Sequence, residues 1–215
     1  MKVGAIPVEN LNEKYSYGNA LVLEIGADRK RNFITKYPEI VPFVFKKLDL
    51  KYMITLEIDK NRNPDIIADA RRIPFKDFSF DIVILMSVLE HCYSNFENIV
   101  KEVNRVLSKN GLVIGFVPSF LGYHGNDYWR FTYEGIARLL KDFENIKIIP
   151  VGGPFSVSVQ IVVDMIKPKL LRNIITYVLS PFLTFMDRLL WRIYKNRGKI
   201  NNFISRGYLF IINSR

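Results

Sequence analysis

Residues 52–91, YMITLEIDKNRNPDIIADARRIPFKDFSFDIVILMSVLEH, constrain this chain more than any other segment. Two short apolar runs there end in an acid, Glu57 and Asp69, and a third ends in the small polar Ser87. Short apolar runs bounded by polar turns read as strands buried on both faces, the kind that build parallel sheets. An open α/β sheet receives its ligand at the carboxyl ends of such strands. Acids at two successive strand ends therefore point to a nucleoside-sized ligand.

The rest of the chain continues the alternation. Strands are expected over 20–25, 52–56, 65–68, 80–86, 112–117, 143–151 and 207–212. Residues 29–48 have roughly helical spacing, broken by Pro38 and Pro42. Residues 95–107 put Phe96, Ile99, Val100, Val103, Val106 and Leu107 on one helical face, with Ser94 as cap and Asn110-Gly111 as stop. A short helix over 132–140 starts at Thr132. Strands alternating with helices predict an α/β fold with a parallel sheet and helices on both faces. The 215 residues suit a single domain. Cys92 is the only cysteine, so no disulfide forms within the chain. Residues 1–10 lack the apolar core of a signal peptide, so the chain reads as cytoplasmic.

The formal net charge of +10 is uneven. From residue 151 onward there are ten Lys or Arg against two acids, Asp164 and Asp187. This region contains a basic, apolar helical insertion over 154–203, between the last two strands. Its uncharged stretch, 173–186, falls short of the about 20 residues that span a bilayer, and Pro181 lies inside it. Apolar residues with Trp191, flanked by cations, suit an anionic membrane surface on which the protein is peripheral. A homodimer through 170–195, or packing on the domain, is the other reading. Nucleic acid fits the uncharged stretch less well than lipid.

The chemistry-bearing positions begin at 21–28, LVLEIGAD, where a strand ends in acid, x, Gly. This run resembles the first motif of the class I S-adenosylmethionine-dependent methyltransferases, with a type 11-like methyltransferase domain. Glu24 and Gly26 match, while Ala27-Asp28-Arg29 stand where further glycines are usual. The later motifs follow in order, through 79–83, 89–91 and the helix-to-strand turn at 105–111, where Asn110 replaces the usual Pro or Gly. The resemblance covers 20–151 and resumes at Gly207. It implies a seven-stranded, mostly parallel sheet with an antiparallel last strand, and S-adenosylmethionine as cofactor. On this chain it places Glu24, Gly26 and Ala27 beside the methionine part. Glu57 accepts from the ribose hydroxyls, with Ile58 next to it and Asp59 as a substitute acid. Asp69 and Ala70 meet the adenine, and Met86 and Ser87 line the far wall. Asp81, at the start of its strand, reads as structural.

The loop 123–132, YHGNDYWRFT, follows the fifth strand, at the edge where substrates enter. Tyr123, Tyr128, Trp129 and Arg130 are candidate contacts to the methyl acceptor. His124, His91 and Asp127 are candidate general bases. The competing reading packs the aromatics on the core and pairs Arg130 with Asp127. Two histidines and one cysteine give no convincing metal set. The implied function is methyl transfer to an unidentified acceptor. The alternative is a non-catalytic binding protein on a degenerate methyltransferase fold. A nicotinamide oxidoreductase fits less well, because Gly-x-Gly-x-x-Gly is missing.

Overall fold

A computed structural model describes residues 20–27, 52–120, 126–166, 168–196 and 204–213. The apolar runs form seven strands of one sheet: β1 (Val22–Ile25), β2 (Met53–Glu57), β3 (Ile66–Ile67), β4 (Phe80–Met86), β5 (Leu107–Pro118), β6 (Ile146–Val151) and β7 (Gly207–Asn213). Their order is β3-β2-β1-β4-β5-β7-β6. The first five pair in parallel, and β7 runs antiparallel to both neighbours. The order reverses between β1 and β4, and an open α/β sheet splays into a ligand crevice at such a switch point.

Side chains alternate across the sheet and divide the core into two. Leu23, Ile25, Leu56, Val83, Leu85, Val113 and Phe210 fill one face, and Val22, Ile82, Ile84, Met86, Ile114 and Leu209 the other. Helix α1 (Phe96–Val106) covers the first face with Ile99, Val100, Val103 and Val106, and α2 (Tyr133–Leu139) adds Ile136. The Thr132 hydroxyl caps α2 by accepting from the Gly135 amide at 3.1 Å, as expected. The expected cap of α1 is corrected. Asn95, in a left-handed conformation (φ 58°), takes the N-cap position in place of Ser94, with no side-chain cap bond. The helix expected over 29–48 lies outside the described residues.

The Asn110-Gly111 stop sits four residues beyond the end of α1. Leu107 already pairs with Phe80, and the register then jumps to Ile82 opposite Leu112. The intervening residues bulge out, with Asn110 at φ 64°. Asp81 is structural, as read. Its carboxylate accepts from the Leu21 amide at 3.0 Å and from the Ser108 hydroxyl at 3.2 Å, tying β4 to the start of β1 and to the bulge.

Helices α3 (Pro154–Asp164) and α4 (Lys169–Asn196) lie between β6 and β7. Val151 and Pro118 both stand opposite Gly207, so α3 leaves the sheet at the edge where β5 ends.

In the middle of β5, Gly115 lies against the ring of Phe210, and a Cβ there would overlap the ring. Phe210 is fully buried and has nowhere to retreat. Gly115→Ala should therefore cost about 1–3 kcal/mol, the range for overpacking a core. Urea unfolding would show the midpoint fall with the slope unchanged.

Candidate functional site

The described ends of β1, β2, β3 and β4 bring the expected cofactor residues to one edge. Register alone does most of this. Ile25 stands opposite Leu56 on one side and Leu85 on the other. The next residues along, Gly26, Glu57 and Met86, are therefore neighbours. The Gly26 amide donates to the Leu56 carbonyl at 2.9 Å. Gly26 has φ +77°, and a Cβ there would lie 2.5 Å from Val88 Cγ2. Only glycine fits both demands, and it lets the backbone pass close to whatever occupies the edge. Ala27 behind it is buried.

Glu24, Thr55, Glu57 and Met86 fall on the sheet face of the second core by alternation, and all four are buried. Two acids at adjacent strand ends on one face are costly unless hydrogen-bonded. Glu57 meets that need locally. Its Oε1 accepts from the Ile58 and Asp59 amides at 2.8 and 3.1 Å, and its Oε2 lies 3.5 Å from Arg62. The carboxylate keeps acceptor capacity, since each oxygen offers two lone-pair sites. Asp59 is turned to its own loop and accepts from Asn61, so Glu57 is the better-placed acid. Ile58 is largely exposed. Ser87 follows β4 with φ 56° and donates its amide to the Phe116 carbonyl at 2.9 Å.

Asp69 sits two residues past β3. It accepts from the Arg71 amide at 2.8 Å and from the Arg71 guanidinium at 2.6 Å. The hydrogen bonds from Arg71 hold the Asp69 carboxyl below its ordinary range, against the opposing effect of burial. Ala70, beside it, packs partly on the first core. Helix α1 holds this loop from below. Glu102 accepts from the Ile73 amide at 2.7 Å, and Arg105 donates to the Ile73 and Phe75 carbonyls at 2.9 and 2.8 Å. Arg105 also pairs with Glu102 and Asp77 at 2.8 Å each.

On the acceptor side, segment 126–131 is stitched to the turn after β4. Tyr128 and Trp129 amides donate to the Glu90 carbonyl, the Trp129 indole donates to the Cys92 carbonyl at 2.7 Å, and the Phe131 amide donates to Pro118. This leaves Tyr128 and Trp129 about half exposed, while Phe131 joins the core. Tyr128 meets Tyr93 edge-on at 5.3 Å. Asp127, only 4% exposed, lies between the His91 imidazole, with Nδ1 at 3.0 Å, and the Arg130 guanidinium, with Nη2 at 2.8 Å. The Arg130–Asp127 pair is therefore present, while Tyr128 and Trp129 are not absorbed by the core. His91 is 42% exposed. Burial pushes the Cys92 thiol up, which keeps it protonated and a poor nucleophile. Tyr123 and His124 lie outside the described residues.

Three participants escaped the sequence reading: Arg71, the Glu102–Arg105 brace and Tyr93. Arg71 was findable as a cation two positions after an acid. The brace joins positions about thirty residues apart and has no local signal.

Residues 46–115 match the family described as Methyltransferase domain. An uncharacterized protein of Methanocaldococcus jannaschii is 28% identical over 177 residues, 79% of this chain and 68% of its own length. A second uncharacterized protein of that organism is 38% identical over 63 residues, 29% of this chain and 24% of its own length. The crystal structure of a SAM-dependent methyltransferase from Archaeoglobus fulgidus shares the fold, with a TM-score of 0.53 at 12% identity, over 90% of this chain and 85% of that one. With the strand order, these give the chain a Rossmann-like methyltransferase fold, with the domain match over 46–115. The methyl donor of the Archaeoglobus fulgidus enzyme is S-adenosylmethionine.

The residues at the edge fit such a group. A Gly-only approach, a buried carboxylate with spare acceptor sites and an ionised Asp69 are what a ribose and an adenine amine require.

The brace yields a test. Hydrogen bonding to Arg105 holds the Glu102 carboxyl below its ordinary value in the folded protein. Its contribution to stability is therefore complete above the ordinary glutamate range and is lost as pH falls through the lowered value. Glu102→Gln should cost on the order of 1–2 kcal/mol at neutral pH. The gap in Tm between variant and wild type should close as pH drops below the ordinary glutamate range.

Proposed function

We propose that this protein transfers the methyl group of S-adenosylmethionine to an acceptor held between the strand edge and segment 126–131. The observation that carries this reading is the convergence of Gly26, Glu57, Asp69 and Ser87 at the switch point of the sheet. In it, Glu57 accepts from the ribose hydroxyls, and Asp69 with the Ala70 amide pairs with the adenine edge. Glu24, Gly26 and Ala27 lie along the methionine part, Ile58 flanks the ribose, and Met86 and Ser87 form the opposite wall.

The bound cofactor supplies an electrophilic methyl on a sulfonium, which departs as a neutral thioether. The chain need stabilise little new charge, so orientation provides most of the acceleration. Tyr128 and Trp129 offer exposed flat surfaces that hold an acceptor in line. An oxygen or nitrogen acceptor also loses a proton. His91 is the base in this reading, and Asp127 is its positioning residue. With Nδ1–H donated to the Asn126 carbonyl at 3.3 Å and Asp127 Oδ1 3.0 Å from the same nitrogen, Nε2 carries the lone pair. Arg130 pairs with Asp127 at 2.8 Å and holds it in place, so Asp127 orients the base rather than acting as one.

Calorimetry with S-adenosylhomocysteine checks the cofactor half. Gly26→Ala and Glu57→Ala should each weaken binding at least about tenfold, or ~1.4 kcal/mol. Unchanged affinity in both would overturn the assignment.

Labelled methyl transfer from S-adenosylmethionine into cell extract checks the base. His91→Ala should slow transfer about a hundredfold while cofactor affinity stays constant. Wild-type binding with no transfer to any fraction would favour the non-catalytic alternative.

A further inference from the structure

We infer that α4 docks this protein on the surface of an anionic lipid bilayer, its outward face lying in the interface. Leu170, Ile174, Tyr177, Val178, Phe182, Phe185, Leu189 and Ile193 recur at three- and four-residue spacing and are all exposed, Tyr177 by 84% and Phe185 by 63%. Single exposed apolar residues are ordinary, but a contiguous stripe along a 28-residue helix calls for a partner. Ile161, Val162 and Met165 extend the same exposure across the end of α3.

Charge selects the partner. Arg188 and Arg192 are exposed beside the stripe. The one acid of α4, Asp187, is 4% exposed and turned the other way. It accepts from the Phe155 and Ser156 amides at 2.9 and 3.2 Å, and from the Ser156 hydroxyl, at the N-terminus of α3. Among the described side chains, the outward face of α4 thus combines apolar and aromatic groups with cations, the composition that lies in an anionic interface. A second copy on this face would bring cations against cations with no α4 acid to pair them.

Residues 173–194 are long and apolar enough to cross a membrane by length and composition, which corrects the shorter estimate from the uncharged stretch. Helix α4 runs unbroken through Pro181 and Asp187, so the apolar segment outlasts its uncharged part. Crossing would tear Asp187 from the α3 amides and leave a carboxylate in hydrocarbon. Lying in the interface keeps those bonds. The helices leave the sheet at the edge shared with the ends of β5 and β6, so docking turns that edge toward the bilayer.

Vesicle flotation of the full chain tests this without reference to methyl transfer. The wild type should float with phosphatidylcholine vesicles containing phosphatidylglycerol. It should stay unbound with pure phosphatidylcholine or at about 1 M salt. The Phe182→Ser/Phe185→Ser and Arg188→Glu/Arg192→Glu variants should each lower the bound fraction at least about fivefold with unchanged thermal melts. Three results would overturn the inference: no flotation with anionic vesicles, flotation indifferent to Arg188→Glu/Arg192→Glu, or resistance to alkaline carbonate extraction. A stable dimer by light scattering that does not float would assign the face to a second copy.

Discussion

The site depends on one backbone bond, from the Gly26 amide to the Leu56 carbonyl. It carries the β1–β2 pairing one residue past the end of β1 and turns the chain there with φ +77°. Everything at the edge is indexed from it. Glu57 is the next residue of β2, and Met86 is the next of β4. A one-residue slip of β1 would exchange the two core faces and send Glu24 into the Leu23 and Ile25 cluster. The apolar price of such a slip is large, because residues 22–25 are all buried. Hydrophobic register thus fixes where the polar edge residues stand, to within a residue, before any of them meets a ligand.

Ligand edges carry loops, and loops have backbone groups with no ladder to satisfy them. Two devices hold them here. Thr55 and Asp65 exchange amide, hydroxyl and carboxylate bonds of 2.7–2.9 Å across the turn between β2 and β3. Glu102 and Arg105 reach from α1 to the amide and carbonyls of 73–75. Both use charge to satisfy backbone. This suits β3, which has only two residues of ladder to hold Asp69 in position.

The fold was legible because each strand is a compact apolar run and each turn has its own signal. Phe80–Met86 was read to the residue. The Thr132 cap was also readable, since the hydroxyl and the amide it serves are three residues apart. Ser94 failed as a cap because Asn95 tolerates the left-handed backbone that the entry to α1 requires. The third strand was overdrawn because Asp65 and Ala68 resemble strand ends, while Asp65 is spent on Thr55. At the site, strand-end acids were visible as sequence. The partners beside them, Arg71 for Asp69 and His91 with Arg130 for Asp127, are matters of side-chain direction. Periodicity carries no such information.

Asp127 and Asp187 are both buried acids in the half of the chain after β5, and they solve burial differently. Asp127 is compensated by the Arg130 guanidinium and lies beside the His91 ring, so its surroundings leave an exposed imidazole beside the strand edge. Asp187 has no cation in its described bonds and is compensated by the first amides of α3, where the helix dipole favours a negative charge. That choice also fixes geometry. Gly153 admits the carboxylate, since a Cβ there would lie 2.5 Å from Asp187 Cγ. Fixing one residue of a helix fixes its rotation, and every other residue follows at about 100° per step. The bonds of Asp187 to α3 therefore decide which stripe of α4 is covered and which faces outward.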